Sequence, residues 1–240
     1  MNAEKKPSVI RRTVRFIDKT IDSILSVLFF IVLFIGIYFT YDSWYVYNAS
    51  ALDHIPGYAW DGAETLEEMP TEAICWITID DTKIDCPIMQ GETNSEYLNK
   101  NPYGEYSLAG SIFLDSSNDP EFKDIYSIVY GHHMSGGYMF GALDEYEKEE
   151  YLDEHREGII KLRNGKEIKV SIFAFVETDA SNDLVFDVNS NYESNDDRLA
   201  FIKDNALVYR EPIEGRIIAL STCKSPLTTD RTVVFGIIND

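Results

Sequence analysis

Hydrophobic positions fall into two patterns along the chain, and the first is one long unbroken run. Residues 24–41 read ILSVLFFIVLFIGIYFTY and carry no charged side chain. A helix of that length rises about 1.5 Å per residue and reaches roughly 27 Å, close to the thickness of a bilayer's hydrocarbon core. A helix that is apolar on every face does not suit the surface of a water-soluble domain, and a buried core helix is the weaker alternative. We therefore predict a transmembrane helix over 24–41.

A cleaved signal peptide is the main alternative for this apolar run. Such a peptide normally has an apolar region of about 7–15 residues with small residues at a cleavage site close behind it. Here the small residues Ala49, Ser50 and Ala51 come eight residues after the run, beyond bulky Trp44 and Tyr45. An uncleaved anchor is therefore the better interpretation.

The second pattern begins at residue 73, where short apolar runs alternate with turn residues. This pattern is typical of an all-β domain. Asn164-Gly165 between two of the runs predicts a tight hairpin. The preceding segment, 42–72, is mixed and predicts a helical lead-in with a short acidic helix near 64–69. Eight strands are predicted, over 73–79, 84–89, 111–115, 126–130, 158–162, 167–176, 216–220 and 232–238.

Two helical stretches interrupt the predicted strands. Residues 143–155 are rich in Glu, Lys and Tyr, and residues 196–209 place apolar side chains three and four positions apart behind the capping candidates Ser194 and Asn195. The predicted fold is mainly β, a compact barrel with helical insertions. The predicted domains are a basic tail (1–23), an anchor (24–41), a helical lead-in (42–72) and a barrel (73–240).

Charge is divided sharply between the two sides of the apolar run. The 240 residues include 21 Lys and Arg against 41 Asp and Glu, for a net charge of −20, yet residues 1–20 carry +4. Basic residues on the N-terminal flank predict a single-pass protein with a cytoplasmic N-terminus and an extracellular domain. The excess of carboxylates argues against a nucleic-acid binder, because phosphate contacts need clustered Lys and Arg.

Few side chains are available for chemistry, since the chain has only four histidines and three cysteines. His132 and His133 follow a predicted strand, and adjacent residues on extended chain point to opposite sides, so at most one of them faces a given site. Cys223 follows the end of the next-to-last strand and Arg231 starts the last one, so the two are predicted to lie side by side. A base and a fixed cation beside a thiol favour its reactive thiolate, and Arg can stabilise an oxyanion.

Several ordered motifs resemble those of the sortase family, and the helical lead-in is similar to that of its class B members. The resemblance covers most of residues 73–240. It is carried by CWITIDDTKIDCPIMQGETNSEYLN (75–99), AGSIFLD (109–115), YGHHM (130–134), GGYMFGAL (136–143) and LSTC (220–223) followed by Arg231. One departure is Ala219, which stands where the family strand usually has Thr.

The resemblance implies an eight-stranded sortase barrel on the outer face of a Gram-positive membrane. It implies a cysteine transpeptidase with Cys223 as nucleophile, His132 as acid and base, and Arg231 as the stabiliser of oxyanion and substrate. Its partners would be secreted proteins with a C-terminal sorting signal and an amine of a lipid-linked peptidoglycan precursor, without a cofactor or metal. The resemblance also places four residues in the sorting-signal groove: Asn94, Leu98, Tyr130 and Ser221.

Three alternatives to wall anchoring stay open at this stage. The same thiol could run hydrolysis, which would make the protein a surface protease. A pilin-polymerising enzyme is less favoured, because no lid-like Asp-Pro-aromatic segment precedes the barrel and no second span follows it. The third is a non-enzymatic binding barrel with an inert Cys223. Cys75 and Cys86, on consecutive strands, are expected to be buried.

Overall fold

A computed structural model of the chain describes residues 9–50, 70–107, 109–188, 194–223 and 229–239. The chain divides into two compact units, Met1–Asn48 and Ala49–Asp240. The acidic helix expected near 64–69 lies outside the described residues.

The first unit is built on one long helix, α1 (Val9–Ser50). Its candidate membrane span, Val14–Trp44, is 31 residues long; the most apolar 18 residues within it have a mean hydropathy of 2.5, and none of those residues is buried within the protein. The hydroxyls of Thr20 and Thr40 each donate to the carbonyl four residues earlier, which satisfies polar groups without water. The helix thus continues beyond 24–41 at both ends and is long enough to cross a membrane.

The second unit is a closed β-barrel, as predicted. Eight strands follow one another around it in the order β5-β1-β2-β3-β4-β8-β9-β6, and β6 pairs with β5 to close the ring. A ninth, β7, lies outside the ring against β6. The strands are β1 (Ala73–Ile79), β2 (Asp85–Met89), β3 (Ile112–Leu114), β4 (Tyr126–Tyr130), β5 (Glu157–Leu162), β6 (Glu167–Asp179), β7 (Ala206–Tyr209), β8 (Arg216–Cys223) and β9 (Asp230–Asn239).

Two helix predictions need correction. The single helix expected over 143–155 is a 3₁₀ helix, Phe140–Glu147, followed by the short α2 (Glu149–Glu154). The helix expected over 196–209 is α4 (Asp196–Asn205), which ends where Ala206 turns extended. The remaining four residues form β7, whose buried Val208 pairs with Phe175 of β6. Pairing with the free edge of β6 therefore makes these residues a strand, although their apolar residues have helical spacing. The other helices within the described residues are α3 (Asp183–Phe186) and two 3₁₀ helices, Glu96–Asn99 and Ser135–Gly137.

The barrel interior is filled by alternate side chains from every strand. Ile77, Ile88, Val129 and Leu220 are completely buried there, and such burial stabilises the fold by about 1.5–3 kcal/mol per large apolar side chain. Cys75 and Cys86 lie in the same core as free thiols, which confirms their predicted burial. Desolvation raises the pKa of both thiols well above the usual range, so neither is set up as a nucleophile.

Parallel pairing between β4 and β8 determines what meets at one rim of the barrel. Tyr130 at the end of β4 lies opposite Ser221 of β8, and the backbone of Gly131 donates to the Ser221 carbonyl at 3.0 Å. On the other side of β8, Cys223 lies opposite Arg231 of β9. Three parts of the chain therefore converge at this rim: the residues after β4, the end of β8 and the start of β9.

Candidate active site

A cleft of about 330 Å³ opens at the rim where these strand ends converge. It contains six residues singled out from the sequence: His132, Arg231, Asn94, Leu98, Tyr130 and Ser221. The remaining lining residues are Phe113, Gly131, Ala180, Phe186 and Thr222.

Cys223 reaches this rim as the last residue of β8. Its Cα lies opposite that of Arg231 in the antiparallel ladder with β9. This register confirms the prediction that the two residues lie side by side, because the loop between the strands brings their ends together. Thr222, immediately before Cys223, lines the cleft.

His132 is held at the cleft by a hydrogen bond to the main chain. Its Nε2 lies 2.9 Å from the carbonyl oxygen of Leu98. Because a carbonyl can only accept, we assign the proton to Nε2, which donates to Leu98. Nδ1 is then the nitrogen left to exchange a proton with a reacting group. The chemistry of a general acid and base needs such a ring with a fixed orientation.

The short loop that carries His132 is fixed by close packing. The backbone N–H of Phe140 donates to the His132 carbonyl at 3.1 Å. A Cβ on Gly131 would lie 2.7 Å from the Phe140 ring, so only glycine allows this packing. Packing thus requires the glycine that precedes His132.

His133 points away from the cleft, as predicted for adjacent residues of an extended chain. Its Nε2 lies 2.7 Å from Oδ2 of Asp144. Both residues line a separate pocket behind the loop, together with Lys83. Only one of the two histidines therefore faces the cleft.

Arg231 supplies positive charge to the cleft. One terminal nitrogen of its guanidinium donates to the carbonyls of Thr229 and Asp230, both at 3.2 Å. Among the described residues, no carboxylate forms an ion pair with it. A guanidinium held by main-chain carbonyls keeps its full charge and further N–H groups for a ligand.

One wall of the cleft is a hydrogen-bonded polar group. The amide nitrogen of Asn94 donates to Oδ2 of Asp115 at 2.6 Å, and the Tyr130 hydroxyl donates to the same oxygen at 3.2 Å. Burial, followed by the neighbouring Asp115 carboxylate, raises the pKa of Tyr130 above its ordinary value. Tyr130 is therefore a neutral hydroxyl at physiological pH.

The opposite wall comes from the segment after β6, which contributes Ala180 and Phe186. Asp179 ties this segment to Thr229, the residue just before β9: its carboxylate accepts from the Ser181 hydroxyl and N–H, and from the Thr229 hydroxyl. These bonds, those from Ser181 first, lower the pKa of Asp179 to about 2. The ionised carboxylate thus holds the wall beside Arg231.

Sequence reasoning missed several of the lining residues. Phe186 lies on α3, for which no element was predicted, and Thr222 was passed over in favour of its neighbours. The buried hydroxyls of Ser221 and Thr222 have no hydrogen-bond partner among the described residues. Within those same ranges, no three His, Cys, Asp or Glu side chains come together as metal ligands.

Comparisons with known proteins identify relatives with the same fold. The Sortase domain family model matches residues 77–238. Sortase B of Listeria monocytogenes is 35% identical over 181 residues, which cover 72% of this chain and 72% of that protein. A class B sortase of Streptococcus pyogenes involved in pilus biogenesis is 40% identical, with a TM-score of 0.65 over 72% of this chain and 96% of that one. The Staphylococcus aureus sortase B–substrate complex is 27% identical, with a TM-score of 0.65 over 74% and 84% of the respective chains.

Proposed function

Because the chain belongs to the sortase family of cysteine transpeptidases, we propose that it is a class B enzyme that attaches secreted proteins to the cell wall. It would cleave a C-terminal sorting signal and pass the acyl part to an amine of a lipid-linked peptidoglycan precursor. The observation that carries this proposal is the cleft in which His132 and Arg231 meet the end of β8 at Cys223.

In the first half-reaction, the Cys223 thiol gives its proton to Nδ1 of His132, and the sulfur attacks the carbonyl carbon of the scissile peptide bond. Arg231 donates hydrogen bonds to the substrate oxygen as it gains negative charge, a role that suits a fixed cation at the site of charge development. The C–N bond then breaks, and the leaving amine takes a proton from His132. The products are a thioester on Cys223 and a free C-terminal fragment.

In the second half-reaction, the acceptor amine enters the cleft and attacks the thioester carbon. Its N–H proton passes to His132, the C–S bond breaks, and Cys223 is released as the sulfur anion. One amide bond has been exchanged for another, so the cycle needs neither an oxidant nor a cofactor. Asn94, Leu98, Tyr130 and Ser221 would bind the sorting signal along the walls of the cleft.

Membrane attachment fits this reaction. We propose that α1 anchors the enzyme with its basic end in the cytoplasm and the barrel outside, where both the secreted substrate and the lipid-linked acceptor are found. The long apolar span, whose most apolar stretch is not buried within the protein, supports the anchoring role.

Pilus assembly is a second candidate, because a class B sortase 40% identical to this chain is involved in pilus biogenesis. In that case the acceptor would be a lysine amine of another protein subunit. The chemistry on Cys223 would be unchanged, and only the nucleophile in the second half-reaction would differ.

The test uses the full chain in detergent micelles with a library of sorting-signal peptides. Acceptors are a peptidoglycan-type amine, a lysine-containing peptide, or water alone. We expect an amide product with the peptidoglycan-type amine, and no cleavage by Cys223→Ala or His132→Ala. His133→Gln, which keeps a donor to Asp144, is the matched control and should stay active. Cleavage retained in either of the first two variants contradicts the mechanism, and exclusive hydrolysis contradicts the transfer.

A further inference from the structure

Asp115 is a buried acidic residue at the edge of the cleft that the mechanism above does not use. It follows β3 and is only 3% exposed. Its carboxylate has three donors: the Asn94 amide nitrogen at 2.6 Å, the Tyr130 hydroxyl at 3.2 Å, and the backbone N–H of Ser117 at 2.9 Å. Two of these three donors line the cleft.

The position of this carboxylate is fixed by its own main chain. The Asp115 N–H donates to the Ile128 carbonyl at 2.9 Å, and its carbonyl accepts from the Gln90 side chain at 2.9 Å and from the Asn118 N–H at 3.0 Å. A carboxylate so held is a rigid acceptor, and hydrogen bonds to a charged acceptor are stronger than neutral ones.

The bonds made by Asp115 decide which atoms of its two neighbours face a ligand. The Asn94 oxygen accepts from the Ser116 N–H at 2.7 Å, so one amide N–H is used on Asp115 and the other remains for the cleft. Tyr130 uses its only proton on Asp115, which leaves its oxygen as an acceptor. The wall thus offers a donor at Asn94 and an acceptor at Tyr130.

We propose that Asp115 is a positioning residue that sets the donor and acceptor pattern of this wall for the sorting signal. The inference rests on the proposed function, because it assumes that the cleft binds that peptide. It assigns Asn94 to a substrate oxygen and Tyr130 to a substrate N–H or O–H. Asp115 itself does not contact the reacting atoms.

The test is Asp115→Asn, which keeps the shape of the side chain. The new amide is uncharged and has one oxygen where the carboxylate had two. The hydrogen bonds from Asn94 and Tyr130 are therefore weakened if that oxygen faces them, and they are lost if the new NH₂ group faces them. We expect kcat/KM for the peptide to fall at least tenfold, mostly through KM, because the wall binds peptide and does not react.

The matched control is Asp124→Asn. The Asp124 carboxylate accepts from the side-chain amide of Asn118 and from the backbone N–H of Asp119. Neither of these two donor residues lines the cleft. We expect less than a twofold change in kcat/KM. An equal loss in the two variants overturns the proposal, since it would reflect general disturbance of this turn.

A double-mutant cycle separates positioning from a structural role. In an Asn94→Ala, Tyr130→Phe background, Asp115 has nothing left to orient, so Asp115→Asn should lower kcat/KM less than twofold further. A second tenfold loss there overturns the proposal. If Asp115→Asn fails to fold, a second cycle with Asn94→Ala and Tyr130→Phe tests the same proposal. Both side chains donate to one oxygen of Asp115, so their effects on kcat/KM should be coupled. Additive losses of kcat/KM would contradict the proposal.

A readout without substrate keeps the inference distinct from the proposed function. The side-chain NH₂ resonance of Asn94, measured by NMR on the full chain in micelles, should move toward the position of a free amide in Asp115→Asn and stay in place in Asp124→Asn. An unmoved resonance in Asp115→Asn overturns the positioning role. If wild type cleaves no peptide while the resonance does shift, the proposed function fails and the positioning role is retained.

Discussion

The hydrogen bond between His132 and the Leu98 carbonyl can be tested from a glycine that does not line the cleft. Gly110 has a φ of +59°, and a Cβ built on it would lie 2.5 Å from that carbonyl oxygen. Ordinary contacts of this kind begin at 3.4 Å. Gly110→Ala therefore has to displace the Leu98 carbonyl by about 0.9 Å, because a repulsive contact at 2.5 Å cannot persist.

This displacement is large compared with the tolerance of the hydrogen bond it disturbs. The bond is 2.9 Å long, and a shift of that size along it would exceed the hydrogen-bonding range. A misplacement of about 1 Å at a catalytic group can lower a rate about a hundredfold. We expect kcat for sorting-signal cleavage to fall by about 10- to 100-fold in Gly110→Ala.

The control for backbone strain is Gly104→Ala. Gly104 also has a positive φ, +84°, but its Cβ would meet only the Lys100 side chain at 3.6 Å and the Glu72 side chain at 4.0 Å. Both variants should lose about 1–2 kcal/mol of unfolding free energy from the left-handed backbone. Steady-state kinetics with thermal melting of both variants is the measurement. Equal kcat values in two folded variants would refute a role for the Leu98 carbonyl in holding His132.

Three further predictions concern Arg231, Asp179 and the core thiols. Arg231→Lys should lower kcat/KM at least a hundredfold, because an ammonium cannot bind two carbonyls and still present a planar fork to substrate. The measurement is the rate of peptide cleavage, and a near-normal rate would show that Arg231 takes no part in the reaction. Asp179 has a folded-state pKa lowered to about 2, so its stabilising effect is complete above about pH 4 and is lost as the pH falls toward 2. Melting temperatures of wild type and Asp179→Asn should therefore differ at pH 6 and converge near pH 2, and a constant difference would contradict this. A maleimide should label one of the three cysteines in the native chain and all three in denaturant, because Cys75 and Cys86 are buried; labelling of either in the native state would contradict the core assignment.

Most of the barrel could be predicted because its strands alternate apolar and polar residues or form short buried runs. The predictions for β1 and β4 coincide with the observed strands, and the Asn164-Gly165 turn joins β5 to β6 with Gly165 at a φ of +87°. The strand β7 was missed because its residues continue a helical spacing. Only the open edge of β6, which is a tertiary feature, makes it a strand.

The candidate site was predictable to a different degree for each of its parts. Cys223 and Arg231 could be paired because one loop joins their strands, and His132 could be chosen over His133 from the family motif. Asp115 could not be given a role, since its donors come from three separate parts of the chain. The only signal was a carboxylate directly after an apolar strand, and its significance depends on the antiparallel pairing of β3 with β4, which brings Tyr130 beside it.

Intact-mass spectrometry of the full chain during turnover tests the central claim most directly. The chain is incubated with the sorting-signal library without acceptor amine, quenched in acid and digested to locate the added mass. We predict one acyl group on Cys223 as a thioester that disappears when the amine is added, with the appearance of the amide product. An acyl group on another residue, or cleavage in Cys223→Ala, would contradict the account.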